Sequence, residues 1–230
     1  MVTSAVARGH IDTLQLLLSH GANVESIGMF EDRTALHIAA DNGNEAIAKI
    51  LLDYNADPNA QSVEWGTPLG IASYSDNEAI VKLLIEYGAK VNTISASEHG
   101  TALCAAASNG SHSASICYLV EKAGDDIHAV GGFYGTALQA ASSRGYLYTV
   151  ALLLHNGASP NEEGGRCGTA LQAAAYHGYL DVVNLLLGKG AKVNQRGGLY
   201  DTALQAAAFQ GHTEVVELLL KHGANVHLQG

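Results

Sequence analysis

The chain has 230 residues, 47% of them hydrophobic and 15% charged, with a net charge of −10. That balance is too apolar for a disordered chain, and the acidic surplus argues against a nucleic-acid binder, which needs a dense basic footprint. No apolar run approaches the roughly 18 residues of a membrane span, the start lacks the pattern of a secretory leader, and Cys104, Cys117 and Cys167 have neither zinc nor disulfide spacing, which fits a reducing compartment.

The chain is one unit repeated. Threonines opening a Thr-(Ala/Pro)-Leu triplet stand at Thr34, Thr67, Thr101, Thr136, Thr169 and Thr202, spaced 33, 34, 35, 33 and 33 residues apart. A fixed period in that range specifies stacked supersecondary units that pack only on their neighbours. Residues 1–24 form a partial unit, with an outer helix at Leu14 to Leu18, an exit at Gly21-Ala22, no finger and little of a first helix. Without a clear polar cap, it reads as the cut edge of a longer array.

Residues 25–57 carry one extra finger residue around Ile27 to Arg33, an inner helix at Thr34 to Asp41 and an outer helix at Asn44 to Tyr54. Asn55 stands where other units have Gly21, Gly88 or Gly157, and Asn is the next-best residue for a left-handed helix exit. In residues 58–89, Asp76 replaces the glycine found at Gly43, Gly110, Gly145, Gly178 and Gly211. A positive φ there would strain an L-residue. Residues 90–124 are the longest unit, with insertions near Ser111 to Ser113 and Ala123 to Asp126, and insertions in solenoids sit in loops. Residues 125–157, 158–190 and 191–230 are nearly regular, and Gly230 is the first residue of another finger.

The repeated residues have structural readings. Thr136/Gln139, Thr169/Gln172 and Thr202/Gln205 fit the capping box, in which the threonine accepts from an early helix N–H and the glutamine reaches back. A competing reading makes the glutamine column a polar ligand ladder, but capping needs no ligand. Pro68 takes the favoured first helical position. The alanine column (Ala39, Ala72, Ala106, Ala141, Ala174, Ala207) allows close helix approach, and Leu51, Leu84, Leu153, Leu186 and Leu219 supply the buried face.

The stretch Thr34-Ala-Leu-His-Ile-Ala-Ala40 and the triplet Thr67-Pro-Leu69, at this period, resemble the ankyrin repeat, a β-turn plus two helices. The resemblance covers the whole chain. It implies an all-α ankyrin-repeat solenoid of helix-turn-helix units with short β-turn fingers, one domain over residues 1–230. The form Gly131-Gly-Phe-Tyr-Gly-Thr-Ala-Leu-Gln139 is similar to ankyrin arrays of fungal NACHT/NLR-like signalling receptors. That likeness implies a segment of a larger cytoplasmic sensor or scaffold, with the nucleus as a second location.

Catalytic signatures are missing: no phosphate-binding Gly-Lys loop, no His-Glu-x-x-His, no Cys-x-x-Cys and no Gly-x-Ser-x-Gly. Among the histidines, His10 and His212 follow the inner-helix glycine, while His20 and His222 precede the exit glycine, so repetition explains them better than ligation. His177 lies at a variable position. No metal and no cofactor are expected.

Two variable ribbons remain once the repeated residues are subtracted. The finger ribbon reads Phe30 to Arg33, Glu64 to Gly66, Glu98 to Gly100, Phe133 to Gly135, Arg166 to Gly168 and Leu199 to Asp201. The helix-end ribbon is the pair before each inner-helix glycine. The resemblance implies that both line a concave, partner-binding side. Candidate contact residues are Trp65, Tyr74, Phe133, Tyr134, Arg144, Arg166, Tyr176, His177, Leu199, Tyr200, Phe209 and Gln210. All five arginines fall in or beside the ribbons, and all seven lysines on outer helices or exits. Arginine and large aromatics are the residues enriched at interface hot spots. The N-terminal fingers are acidic (Glu31, Asp32, Glu64, Glu98), while Arg144, Arg166 and Arg196 serve the C-terminal half. The expected function is non-catalytic binding of a protein or peptide, by a monomer, with no nucleic acid and no membrane. The alternatives are an enzyme or small-molecule binder built on the solenoid, which would need a deep enclosed pocket, and a bare structural spacer.

Overall fold

The computed structural model describes residues 1–28, 32–110, 114–121, 124 and 126–228. Phe30 and Glu31 of the finger in residues 25–57, the insertion at 111–113, Lys122, Ala123, Asp125 and Gly230 lie outside them.

The described residues contain fourteen α-helices and no sheet. The inner row is α1 (Val2–Ala7), α3 (Ala35–Asp41), α5 (Pro68–Tyr74), α7 (Ala102–Asn109), α9 (Ala137–Arg144), α11 (Ala170–His177) and α13 (Ala203–Gln210). The outer row is α2 (Ile11–Ser19), α4 (Glu45–Asp53), α6 (Glu78–Glu86), α8 (Ala114–Glu121), α10 (Leu147–His155), α12 (Leu180–Gly188) and α14 (Thr213–Lys221). The first helix is fuller than the sequence suggests, since α1 keeps six residues. Isolated bridges such as Gly131 to Gly135 and Gly164 to Gly168 close the fingers.

Inner helices pack on inner helices more closely than outer helices pack on outer ones. The alanine column explains the difference. Ala39, Ala72, Ala106, Ala141, Ala174 and Ala207 are all buried, and a methyl group sets the spacing between backbones. Leu51, Leu84, Leu153, Leu186 and Leu219 are fully buried between the rows, each contributing about 1.5–3 kcal/mol.

The residue three past the helix-opening threonine does two jobs in most units. Gln139 Oε1 accepts the Thr136 N–H (2.7 Å), and its Nε2 donates to the carbonyls of Gly168 (2.6 Å) and Glu162 (2.9 Å). Gln172 repeats this with the Thr169 N–H (2.6 Å) and the Asp201 carbonyl (2.7 Å). Gln139 and Gln172 are buried, so this column caps its own helix and stitches the next unit; it is no ligand ladder. His37 takes the same place. Its Nδ1 accepts the Thr34 N–H (3.2 Å), which leaves the proton on Nε2 to donate to the Gly66 carbonyl (3.1 Å). Gly70 has no side chain for the task, and Ser95 Oγ donates to the Gly100 carbonyl instead (2.8 Å).

A second ladder went unnoticed in the sequence, although its asparagines keep the period. Asn59, Asn161 and Asn194 each donate to the exit-glycine carbonyl at the far end of their own unit, at Gly88, Gly190 and Gly223, and accept a main-chain N–H two residues beyond it.

Asn55 and Asp76 adopt left-handed φ of 62° and 55°. Asp201, at φ 59°, is a third such residue, where other fingers end in Gly66, Gly100, Gly135 and Gly168. Arg196 Nε holds its carboxylate at 2.9 Å.

Three outcomes follow from this packing. Asp76 Oδ1 is buried without a hydrogen-bond partner among the described residues, so Asp76→Gly should stabilise by about 1 kcal/mol in urea melts, through relief of the left-handed strain. A destabilised variant would show that the carboxylate is needed.

His37 is fully buried, and burial lowers its pKa below 6.5 despite the opposing Gly66 carbonyl. The unfolded chain therefore binds a proton that the folded chain resists, and stability falls as pH drops below about 6.5. Glutamine fits the same stitch, so His37→Gln should reduce the stability lost between pH 7.5 and 5. An unchanged pH dependence would exclude the imidazole as its source.

Units inside the array are covered on both sides, so amide exchange should be slowest from Thr136 to Leu187 and fastest near Met1 and the C-terminal end. Uniform protection would contradict nearest-neighbour stabilisation.

Candidate functional site

The finger ribbon is zipped by its own main chain. The Phe133 N–H donates to the Glu98 carbonyl (2.7 Å), the Arg166 N–H to the Phe133 carbonyl (3.1 Å) and the Leu199 N–H to the Arg166 carbonyl (3.3 Å). Successive fingers therefore present Phe133, Arg166 and Leu199 in one line. The approach needs glycine: at Gly165 (φ 57°) a Cβ would lie 2.2 Å from the Tyr134 carbonyl oxygen, and Gly198 and Gly132 are equally confined.

The line of fingers and the ends of α9 and α11 enclose an open groove of about 430 Å³. Phe133, Tyr134, Arg144, Arg166, Tyr176, His177, Leu199 and Tyr200, all singled out from the sequence, line it, together with Ser143, Cys167 and Tyr179. Phe133 and Tyr134 meet edge-on at 5.2 Å. Opposite, Tyr176 stacks on Tyr200 (4.7 Å, 21°), and Tyr200 meets Phe209 at 5.1 Å. Each arginine covers a ring. Arg144 lies 5.6 Å from the Tyr134 centroid and donates to its hydroxyl at 2.8 Å, and Arg166 lies 5.6 Å from the Phe133 centroid. Cation–π contact holds both guanidiniums at the surface while leaving donors for another group.

Ionisation in the groove is simple. Burial lowers the pKa of His177, with Arg144 and His212 adding to the effect, so the ring is neutral at pH 7. Burial raises the Cys167 thiol against the opposing influence of Arg166, the reverse of what activates a nucleophile. The hydrogen bond with Tyr176 raises Tyr200. The lasting charges are the two guanidiniums.

Trp65 and Tyr74 belong to a separate groove of about 210 Å³, shared with Asp41, Glu98 and His99. Arg33 already sits 4.5 Å from the Trp65 centroid and pairs with Asp41 at 2.9 Å. Phe209 is 70% exposed beyond the stacked tyrosines, and Gln210 is exposed at the end of α13, lining neither groove.

Several expectations need correction. Arg196 is tied to Asp201 within its own finger and does not line the groove. Asp32 is no free acidic contact: it accepts from the Ser62 hydroxyl (2.6 Å) and from the Val63 N–H, which braces the next finger and lowers its pKa. Tyr134 is half-buried and packs against the core as well as lining the groove. Tyr179 was overlooked because it sits in the slot after the inner-helix glycine, which reads as purely structural; its ring covers Gly145 and also stacks 5.7 Å from His177. His212, in the equivalent slot, bonds the Tyr176 carbonyl (3.0 Å), and His20 and His222 bond carbonyls of their own helices, at Leu16 and Leu218.

Among the described residues no three or more His, Cys, Asp or Glu side chains converge as metal ligands, and no helix is long and apolar enough to cross a membrane.

Stacked helical pairs with zipped fingers and an open aromatic groove define a repeat solenoid. A family model described as ankyrin repeats (three copies) matches residues 1–62, 61–131, 116–197 and 138–230. The chain belongs to the ankyrin-repeat family. It is similar to the NF-kappa-B inhibitor cactus of Drosophila melanogaster, 47% identical over 49 residues, which are 21% of this chain and 10% of that protein. It is also similar to human ankyrin repeat and SOCS box protein 3, 38% identical over 69 residues, 29% of this chain and 13% of that protein. The matched stretches thus span only about a tenth of these relatives. The crystal structure of the human ASB11 ankyrin repeat domain superposes with a TM-score of 0.82 at 29% identity, covering 97% of this chain and 98% of that one.

Proposed function

We propose that residues 1–230 form one ankyrin-repeat domain that binds a protein or peptide partner, without catalysis, on the concave face carrying the finger and helix-end ribbons. Its units are residues 1–24, 25–57, 58–89, 90–124, 125–157, 158–190 and 191–230. The observation that carries the reading is the aromatic–arginine groove. Phe133 and Leu199 are 44% and 57% exposed yet aligned by main-chain bonds, and two guanidiniums are held over rings beside them. Rigid aromatic area with forked donors is the composition of interface hot spots. The name of the cactus relative, an inhibitor of NF-kappa-B, is in keeping with recognition of a protein. The protonated Cys167 thiol and the open shape of the groove disfavour the enzyme alternative.

In this reading the domain works as a monomer without a cofactor, in the cytoplasm or nucleus, where its free cysteines stay reduced. The Gly-Gly fingers support its placement in a larger sensor or scaffold of the fungal NACHT/NLR-like kind.

Two triple variants test the face. Phe133→Ala, Arg144→Ala and Tyr176→Ala together remove groove contacts, whereas Lys49→Ala, Lys189→Ala and Lys221→Ala alter exposed outer positions. Proteins captured from the source cell by the unaltered domain should be lost with the first variant, at a cost of several kcal/mol, and retained with the second. Circular dichroism controls for folding. Equal retention by both variants would remove the face from the function.

A further inference from the structure

The groove between the fingers and α11 differs in charge from the rest of the molecule. The chain carries 22 Asp and Glu against 12 Lys and Arg. Among the described residues no carboxylate lines the groove, whereas Arg144 and Arg166 both do. Among the described residues no carboxylate is bonded to either arginine; Arg144 donates to the Tyr134 hydroxyl, and Arg166 rests on the Phe133 ring. By contrast, Arg33 and Arg196 are each paired with an aspartate at 2.9 Å. An acidic chain that neutralises Arg33 and Arg196 internally keeps Arg144 and Arg166 for something else.

The geometry also limits the form of the counter-charge. The guanidiniums are held against two different rings, Tyr134 and Phe133, so each offers its own fork of donors. Between them and the Tyr176–Tyr200 stack the walls are aromatic, and the volume of about 430 Å³ suits a few side chains. We infer that this groove takes an acidic segment of the partner protein, in which an aromatic side chain enters between Phe133 and Tyr200 and flanking Asp or Glu carboxylates pair with Arg144 and Arg166. Charge complementarity selects this occupant: bidentate carboxylate pairing uses the fork, and the ring-stacked guanidinium is already oriented for it. At physiological ionic strength a Debye length of about 8 Å confines the repulsion from distant acidic residues.

This inference rests on the proposed recognition face and is tested apart from it. Fluorescein-labelled peptides with blocked ends are titrated with the full chain at 0.15 M salt and followed by anisotropy. The probes are Glu-Glu-Trp-Glu-Glu, Gln-Gln-Trp-Gln-Gln, Lys-Lys-Trp-Lys-Lys and a Gln-Gln-phosphotyrosine-Gln-Gln control. The acidic peptide should bind at least about tenfold tighter than the neutral and basic ones, and Arg144→Gln with Arg166→Gln should remove about that factor. Arg144→Lys with Arg166→Lys keeps charge but loses the fork and the ring contact, so it should recover only part of the affinity. Lys49→Gln with Lys189→Gln should change nothing. No binding of the acidic peptide, equal binding of its charge-reversed counterpart, or tighter binding of the phosphotyrosine peptide would each overturn the inference. If peptides fail while the Phe133/Arg144/Tyr176 variant still loses its captured partner, the acidic segment is wrong and the face stands. If that variant keeps its partner, the face itself is wrong.

Discussion

The structure depends on a side chain that is shared between two units, His37, Gln139, Gln172 or Gln205. A repeat of about thirty residues cannot bury its own apolar face, so everything rests on how it grips its neighbour. Gln139 and Gln172 use one end of the amide to cap their own helix and the other to hold the last carbonyl of the next finger. Gln139 and Gln172 are themselves buried, where an unmade hydrogen bond would cost about 1–3 kcal/mol. Both ends must therefore be satisfied together, and satisfying them fixes the distance between units. His37 meets the same demand through two ring nitrogens, which makes its tautomer a consequence of the stacking.

That stitch also creates the face. The carbonyl held by Gln139 belongs to Gly168, and the main chain just before it carries Arg166. With the finger end pinned, the short Arg166 to Phe133 and Leu199 to Arg166 bonds can form, and side chains about 33 residues apart fall into register. Glycine at 165 and 198 is the steric condition for this zipper, since a side chain would strike the neighbouring finger's backbone. The glycine pairs are thus tied to recognition indirectly: they let the fingers close until Phe133, Arg166 and Leu199 form a continuous edge.

The two ends of the ribbon face have been resolved differently by the molecule itself. Near the N-terminal end, Arg33 folds onto Trp65 and pairs with Asp41, and Asp32 braces the next finger, so polar and aromatic groups there satisfy one another. Toward the C-terminal end, both aromatic pairs line one open groove, with guanidiniums above the Tyr134 and Phe133 rings. Residues of the same types pair internally in one place and leave a wider open groove in the other. The difference lies in the acids: Asp41 sits at the end of α3, whereas the equivalent turn of α9 carries Ser143 and Arg144.

The sequence by itself determined the repeat, the helix pairs, the capping threonines, the left-handed exits at Asn55 and Asp76, and the two ribbons in which variable residues collect. These are local or periodic properties, written in neighbouring residues and in a spacing near 33. Only the tertiary structure decided which ribbon residues meet. Arg196 and Arg166 are alike in sequence, but one is captured by Asp201 five residues on and the other reaches a ring in the preceding finger. Tyr179 and His212 occupy the same slot, yet Tyr179 lines the groove while His212 bonds a carbonyl. Side-chain reach across units has no period, because it depends on what stands opposite, and that is set by the stacking rather than by any one unit.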